Sequence, residues 1–202
     1  HYELAEEKSK AAELYEMAAQ RSQTTYNMEM ATVYYCRSLS LLTEMSHHAI
    51  WQLRLQEDLG LLLLQQARLV EAAQTYMTMR FTAEEDGDLL LQARSWNGLA
   101  EIHQYQASYD AMLESARQAE RVAWLVNAES TWVRALLHKS TALLHHGDIE
   151  MALLATQRAL ETCQQLDEPE LLTACLRQFC EQHIYIGRYG HVEQNLNEIK
   201  GV

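Results

Sequence analysis

Between residues 88 and 106 the apolar positions recur with the period of an α-helix. Ala93, Trp96, Leu99, Ala100 and His103 fall three and four apart, which puts them on one stripe. Asp88 stands where an N-cap belongs, so the spacing predicts a helix from Leu89 to about Gln106. Ala107-Ser108 makes a turn, and a second helix is predicted from about Tyr109 to Leu125. Val126-Asn127-Ala128 then leads into another pair. His146-Gly147-Asp148 and Gly187-Arg188 are the turns of later pairs, where Gly accepts the left-handed backbone that ends a helix. Asp167-Glu168-Pro169 opens a further first helix, with Pro in the first turn, where its missing N–H costs nothing.

In steps of forty the chain lines up with itself. Gly60, Ala100, Ser140 and Cys180 form a column of small residues. Ala67, Ala107, Gly147 and Gly187 form a second, followed by Leu69, Tyr109, Ile149 and Tyr189. Ala72, Met112, Ala152 and Val192 make a further column, as do Met79, Ala119, Ala159 and Ile199. A small residue in the first helix lets the second cross it at short range, and Tyr109 and Tyr189 plug the gap beside the turn. Five units are read, at about 2–46, 47–87, 88–127, 128–167 and 168–202, in one domain. The first fits the register more poorly, with Gln20 in the small column and Asn27 and Glu29 at the turn pair. Terminal units of repeat arrays are often atypical.

Composition narrows the classes. One Pro and seven Gly in 202 residues leave few loops, and 48% hydrophobic residues suffice for a continuous core. A formal charge of −12 opposes nucleic acid, whose binding neutralises phosphates with Lys and Arg, and opposes anionic membranes. The longest apolar stretch, Leu59 to Leu64, is too short to span a bilayer, and no signal peptide opens the chain. Cys36, Cys163, Cys175 and Cys180 lie in apolar helical contexts, which suits reduced thiols in a cytoplasmic protein. Starting at His1 without Met, the chain reads as a fragment of a larger protein.

Leu59-Gly60, Ala67, Leu69, Ala72 and Tyr76, and again Gly147-Asp148-Ile149 with Ala152 and Ala159, resemble the tetratricopeptide repeat (TPR). The forty-residue spacing is similar to the long-helix variety of kinesin light chains, spindle-orientation adaptors and bacterial regulatory or signalling proteins. The resemblance implies an all-α fold, a right-handed α-solenoid of about five TPR-like helix-turn-helix repeats. It also implies that the first helix of each pair lines a concave groove.

On that implied groove Arg54, Arg94 and Arg134 recur at a strict forty-residue interval. Their planar forks suit an acidic segment. Equally, they support the repeats: Glu57 is three residues from Arg54 and within reach of Arg94 on the next unit. A second column reads Gln65, Tyr105, His145 and Tyr185, side chains suited either to partner contact or to burial against the neighbouring unit. Asn97, Glu101, His138 and Arg177 share the surface. The family's carboxylate clamp does not map, because Met17, Arg21, Glu57 and Leu61 stand at its positions.

No metal, cofactor or catalytic site is read. His138 with His145, the pairs His47-His48 and His145-His146, and Cys180 with His183 lack a third ligand at helical spacing. No phosphate loop or nucleophile turn occurs. Trp51, Trp96, Trp124 and Trp132 read as packing between helices. The expected function is a non-enzymatic protein–protein interaction scaffold that binds a protein or peptide, with an acidic segment favoured. The alternative is a sensory segment of a larger bacterial transcription regulator or signalling ATPase. Self-association through the array ends is a third expectation.

Overall fold

A computed structural model describes residues 2–43, 45 and 48–188. Tyr189, Val192 and Ile199, the remainder of the fifth unit and His47 lie outside the described residues. Nine helices occur among those described: α1 (Tyr2–Thr24), α2 (Met28–Thr43), α3 (Ala49–Gln65), α4 (Leu69–Asp86), α5 (Leu89–Tyr105), α6 (Tyr109–Leu125), α7 (Glu129–His145), α8 (Ile149–Cys163) and α9 (Pro169–Tyr185). The fold is all-α. Two compact units divide the chain, His1–Ile102 and His103–Val202, where the sequence suggests one domain.

Local chemistry sets the helix ends. Between the helices of each pair one residue takes the left-handed conformation: Tyr26, Ala67, Ala107, Gly147 and Gly187. The next amide then closes a bond back over five residues, as from Arg68 to the Leu63 carbonyl and from Asp148 to the Leu143 carbonyl. Asp88 does cap α5, since its carboxylate accepts the Leu91 amide at 2.9 Å. Pro169 occupies the first position of α9.

The first unit follows the register, contrary to the expectation, once it is moved by one residue. Its left-handed turn residue is Tyr26, not Asn27. Ala19, not Gln20, then joins the small column, and Ala31 and Ser38 join Ala72 and Met79; of these small-column and second-helix positions up to Cys180, all but Cys180 itself are buried. Positions through Leu42 follow a step of forty-one and α3 resumes forty, so the extra residue lies in the linker between Leu42 and Ala49.

In the first unit the core joins Tyr35, Leu42, Leu53, Leu55, Leu62, Tyr76, Met79, Leu91 and Ile102. Ser38 donates to the Ala12 carbonyl at 2.8 Å, so α2 approaches α1 closely there. In the second unit Val133, Leu136, Ala155, Ala159, Leu160, Cys163, Leu171 and Cys175 form the cluster. Ser140 donates to the Ala152 carbonyl at 2.7 Å, joining two of the columns directly. At Gly60 the small residue serves a different end. A Cβ there would lie 2.7 Å from Tyr76 Cζ, so the space admits a ring.

Candidate functional site

In the first unit the first-helix face is built by α1, α3 and the part of α5 up to Ile102. Tyr76 belongs to α4, yet its ring passes between α3 and α5. Cβ atoms placed at Gly60 and Gly98 would lie 2.7 and 2.5 Å from its Cζ. The residue is 2% exposed. Burial pushes its pKa up strongly, and the charges that add to this are the carboxylates of Glu101, Glu57 and Asp58. Tyr35 stands at the same register position one pair earlier. Its hydroxyl donates to Gln23 Oε1 at 2.9 Å, and burial, then Asp58 and Glu16, raise its pKa. Trp51 Nε1 donates to Glu16 Oε2 at 2.7 Å. Asp58 is half-buried; burial raises its pKa first, Glu57 and Glu16 next, with Arg54 opposing.

Arg94 Nη1 donates to Glu57 Oε2 at 3.1 Å, which ties α5 to α3. Arg54 is exposed and makes no ion pair among the described residues. Asn97, expected on the contact surface, is only 8% exposed and is packed rather than presented. Glu101 is half-buried.

In the second unit Arg134 and Arg177 are exposed on α7 and α9. His138 is half-buried, and burial, assisted by Arg134 one turn away, pushes its pKa down to about 4. Tyr105 and Tyr185 are 64% and 70% exposed. His145 is exposed too, but its ring stacks on Tyr109 with centroids 3.7 Å apart. The tyrosine column therefore faces water, and Tyr109 fills the space beside the turn through that histidine. His146 Nε2 lies 3.4 Å from Asp110 Oδ1.

Two further expectations are corrected. Trp124 is 68% exposed and meets Trp132 at 5.6 Å, so it is not packed between helices. Cys36 is exposed, whereas Cys163 and Cys175 are fully buried, with burial pushing the Cys175 thiol up to about 12. Among the described residues no three His, Cys, Asp or Glu side chains converge to hold a metal ion, and no helix is long and apolar enough to cross a membrane. A cleft of 670 Å³ lies on the second-helix side, with Cys36, Arg37, Gln66 and Arg68 in its wall. Its Arg68 is already held by Glu71.

Sequence reasoning passed over Tyr76 and Gly98 as a pair. The register sets Tyr76 against Gly98, Ala116 against His138 and Thr156 against Gln178. Large meets small in each, and that exchange of volume was the available signal.

No family model matches the chain, and no curated protein does. Solved structures do. BtubC (BKLC) from P. vanneervenii is 16% identical, with a TM-score of 0.77 over 97% of this chain and 88% of that one. A putative kinesin light chain from Podosopora anserina with nearly identical TPR-like repeats is 11% identical, with a TM-score of 0.74 over 96% and 94%. The fold is the TPR-like helical repeat. Apo RapI has the same TPR-like arrangement at 12% identity and a TM-score of 0.82, and this chain covers 93% of itself but 52% of RapI.

Proposed function

We propose that this TPR-like chain is a non-enzymatic scaffold that binds a protein or peptide segment on its first-helix faces. The observation that carries the reading is the pair Tyr105 and Tyr185, exposed at one register position together with Gln65 and His145. Tyrosine brings a large apolar area with a polar tip at low entropic cost and is enriched where proteins meet. Arg134 and Arg177 are exposed on the same unit, which favours an acidic segment there. Stacked helix pairs offer long preformed surfaces, so binding needs little reordering of the receptor.

Selection of peptides from a random displayed library tests this. The enriched peptides are expected to be acidic and to carry an apolar residue. Tyr105→Ala/Tyr185→Ala and Arg134→Glu/Arg177→Glu variants are each expected to weaken them about tenfold or more in fluorescence anisotropy. No enrichment, or equal affinity for both variants and the parent, removes the reading.

A further inference from the structure

We propose that the face of α1 carrying Leu14 and Met17 is a docking surface for an amphipathic helix of a partner protein. That helix lays an apolar stripe over the two side chains and sets acidic residues against Arg21 and Lys10. The surface is separate from the tyrosine-bearing face and goes beyond the reading above.

The register identifies the face. Lys10, Leu14, Met17 and Arg21 are spaced by four, three and four, the seam along which one helix meets another. By the step of forty-one they correspond to Trp51, Leu55, Asp58 and Leu62 of α3, and by forties to the same stripe of α5, α7 and α9. In the later first helices this stripe packs on the preceding pair. On α9, Leu171 and Cys175 share a cluster with Ala159, Leu160 and Cys163 of α8. Gln178 and Gln182 donate to Thr141 and Ser140 of α7. On α5, Gly98 lies against the Tyr76 ring of α4, and on α3, Trp51 reaches back to Glu16 of α1. Among the described residues no helix lies before α1, so the array leaves its copy of the stripe uncovered.

The residues on that stripe select what covers it. A repeat end that meets only water carries a polar outer face. Here Leu14 and Met17, 66% and 59% exposed, stand together at the centre. The exposed cations Lys10 and Arg21 close the two ends, in a chain of formal charge −12. Lys10 is held by Glu6, one turn away and equally solvent-facing, a weak pair that a docking acid displaces. An apolar centre with cationic ends matches a helix whose apolar residues recur at three, four and seven and which is acidic at both ends. The array's own covering helices have this form. Tyr35, Leu39 and Leu42 make such a stripe on α2, as Thr156, Leu160 and Cys163 do on α8. Both helices open with an acid in the first turn, Glu29 and Glu150, where it also suits the helix dipole. A covering helix runs antiparallel to the one it covers, which brings an acidic first turn to the Arg21 end.

Two labelled helical peptides with one leucine–alanine stripe, ended by glutamates or by lysines, test this against the full chain in fluorescence anisotropy. The glutamate-ended peptide is expected to bind about tenfold more tightly than the lysine-ended one. Leu14→Gln/Met17→Gln is expected to weaken it about tenfold or more, and Arg21→Glu about three- to tenfold. Met77→Gln/Phe81→Gln removes apolar side chains of similar exposure from α4 and is expected to leave the affinity unchanged. All these positions are exposed, so thermal midpoints by circular dichroism are expected to match the parent's. A parent that does not bind the glutamate-ended peptide, equal binding of both peptides, or a control that loses as much as the α1 variant overturns the proposal. So does sedimentation in which the parent self-associates and Leu14→Gln/Met17→Gln does not, since that gives the face to a second copy. Tyr105→Ala/Tyr185→Ala is expected to bind the peptide like the parent, whatever becomes of the scaffold reading; its loss of binding overturns the proposal as well.

Discussion

Gly98 is held to its size by one neighbour. A Cβ added there would lie 2.4 Å from Tyr76 Cε1, and the ring has no retreat because Gly60 bounds its other side. Overpacking of this kind costs about 1–3 kcal/mol, against about 1 kcal/mol gained from alanine's helix propensity. Gly98→Ala is therefore expected to destabilise the chain by about 1–2 kcal/mol, a drop of several degrees in thermal midpoint measured by circular dichroism. An unchanged midpoint would show that the ring is free to move. Both residues were visible in the sequence, but their contact joins positions twenty-two apart on different helix pairs. His138 makes a second prediction. It stays neutral in the folded chain down to about 4, while the unfolded chain takes up a proton near 6.5. The unfolded state binds more protons between these values. Stability is thus full above about pH 6.5 and falls as pH drops towards 4, by about 1–3 kcal/mol for a half-buried ring. Urea midpoints at about pH 7 and pH 5 should differ more for the parent than for His138→Gln. Equal slopes would refute the buried neutral histidine.

At the scale of elements, most boundaries could be read because local signals and helical period agreed. Asp88, Pro169, Gly147 and Gly187 each mark an end by backbone chemistry that does not depend on tertiary contacts. The α1–α2 pair was misread for the opposite reason. One residue in a linker shifts every column, and a strict step of forty carries no information about where that residue lies. Burial resolves it, since Ala19, Ala31, Tyr35 and Ser38 all turn inward only in the shifted register. Leu14 departs from the shifted register. Its counterparts Leu55, Ser95, Ala135 and Cys175 are fully buried, whereas Leu14 is 66% exposed on α1. Exposure also separates what sequence left open at the candidate site. Tyr105 and Tyr185 face water, and Asn97 does not, although all three sit on first helices with polar ends. Such differences depend on which neighbour covers each position. Helical spacing reports the face of a helix and not its cover.

Across the whole molecule, charge links stability to binding with opposite signs. The chain carries 28 acidic and 16 basic residues, a formal −12, so carboxylates outnumber the cations that could pair with them. The ion pairs Lys10–Glu6, Arg68–Glu71 and Arg80–Glu84 are local and largely solvent-facing, and pairs of that kind contribute about 0–1 kcal/mol each. Like-charge repulsion acts over longer distances than these contacts and is what salt removes most effectively, the screening length being about 10 Å at 0.1 M. Raising sodium chloride from about 20 to about 300 mM is therefore expected to raise the thermal midpoint of the free chain. The same salt screens the attraction between an acidic probe peptide and the exposed Arg134 and Arg177, so that affinity is expected to fall over the range. A midpoint that falls with salt would mean that attractive pairs outweigh the net repulsion. A probe affinity indifferent to salt would mean that apolar contact, not charge, holds it.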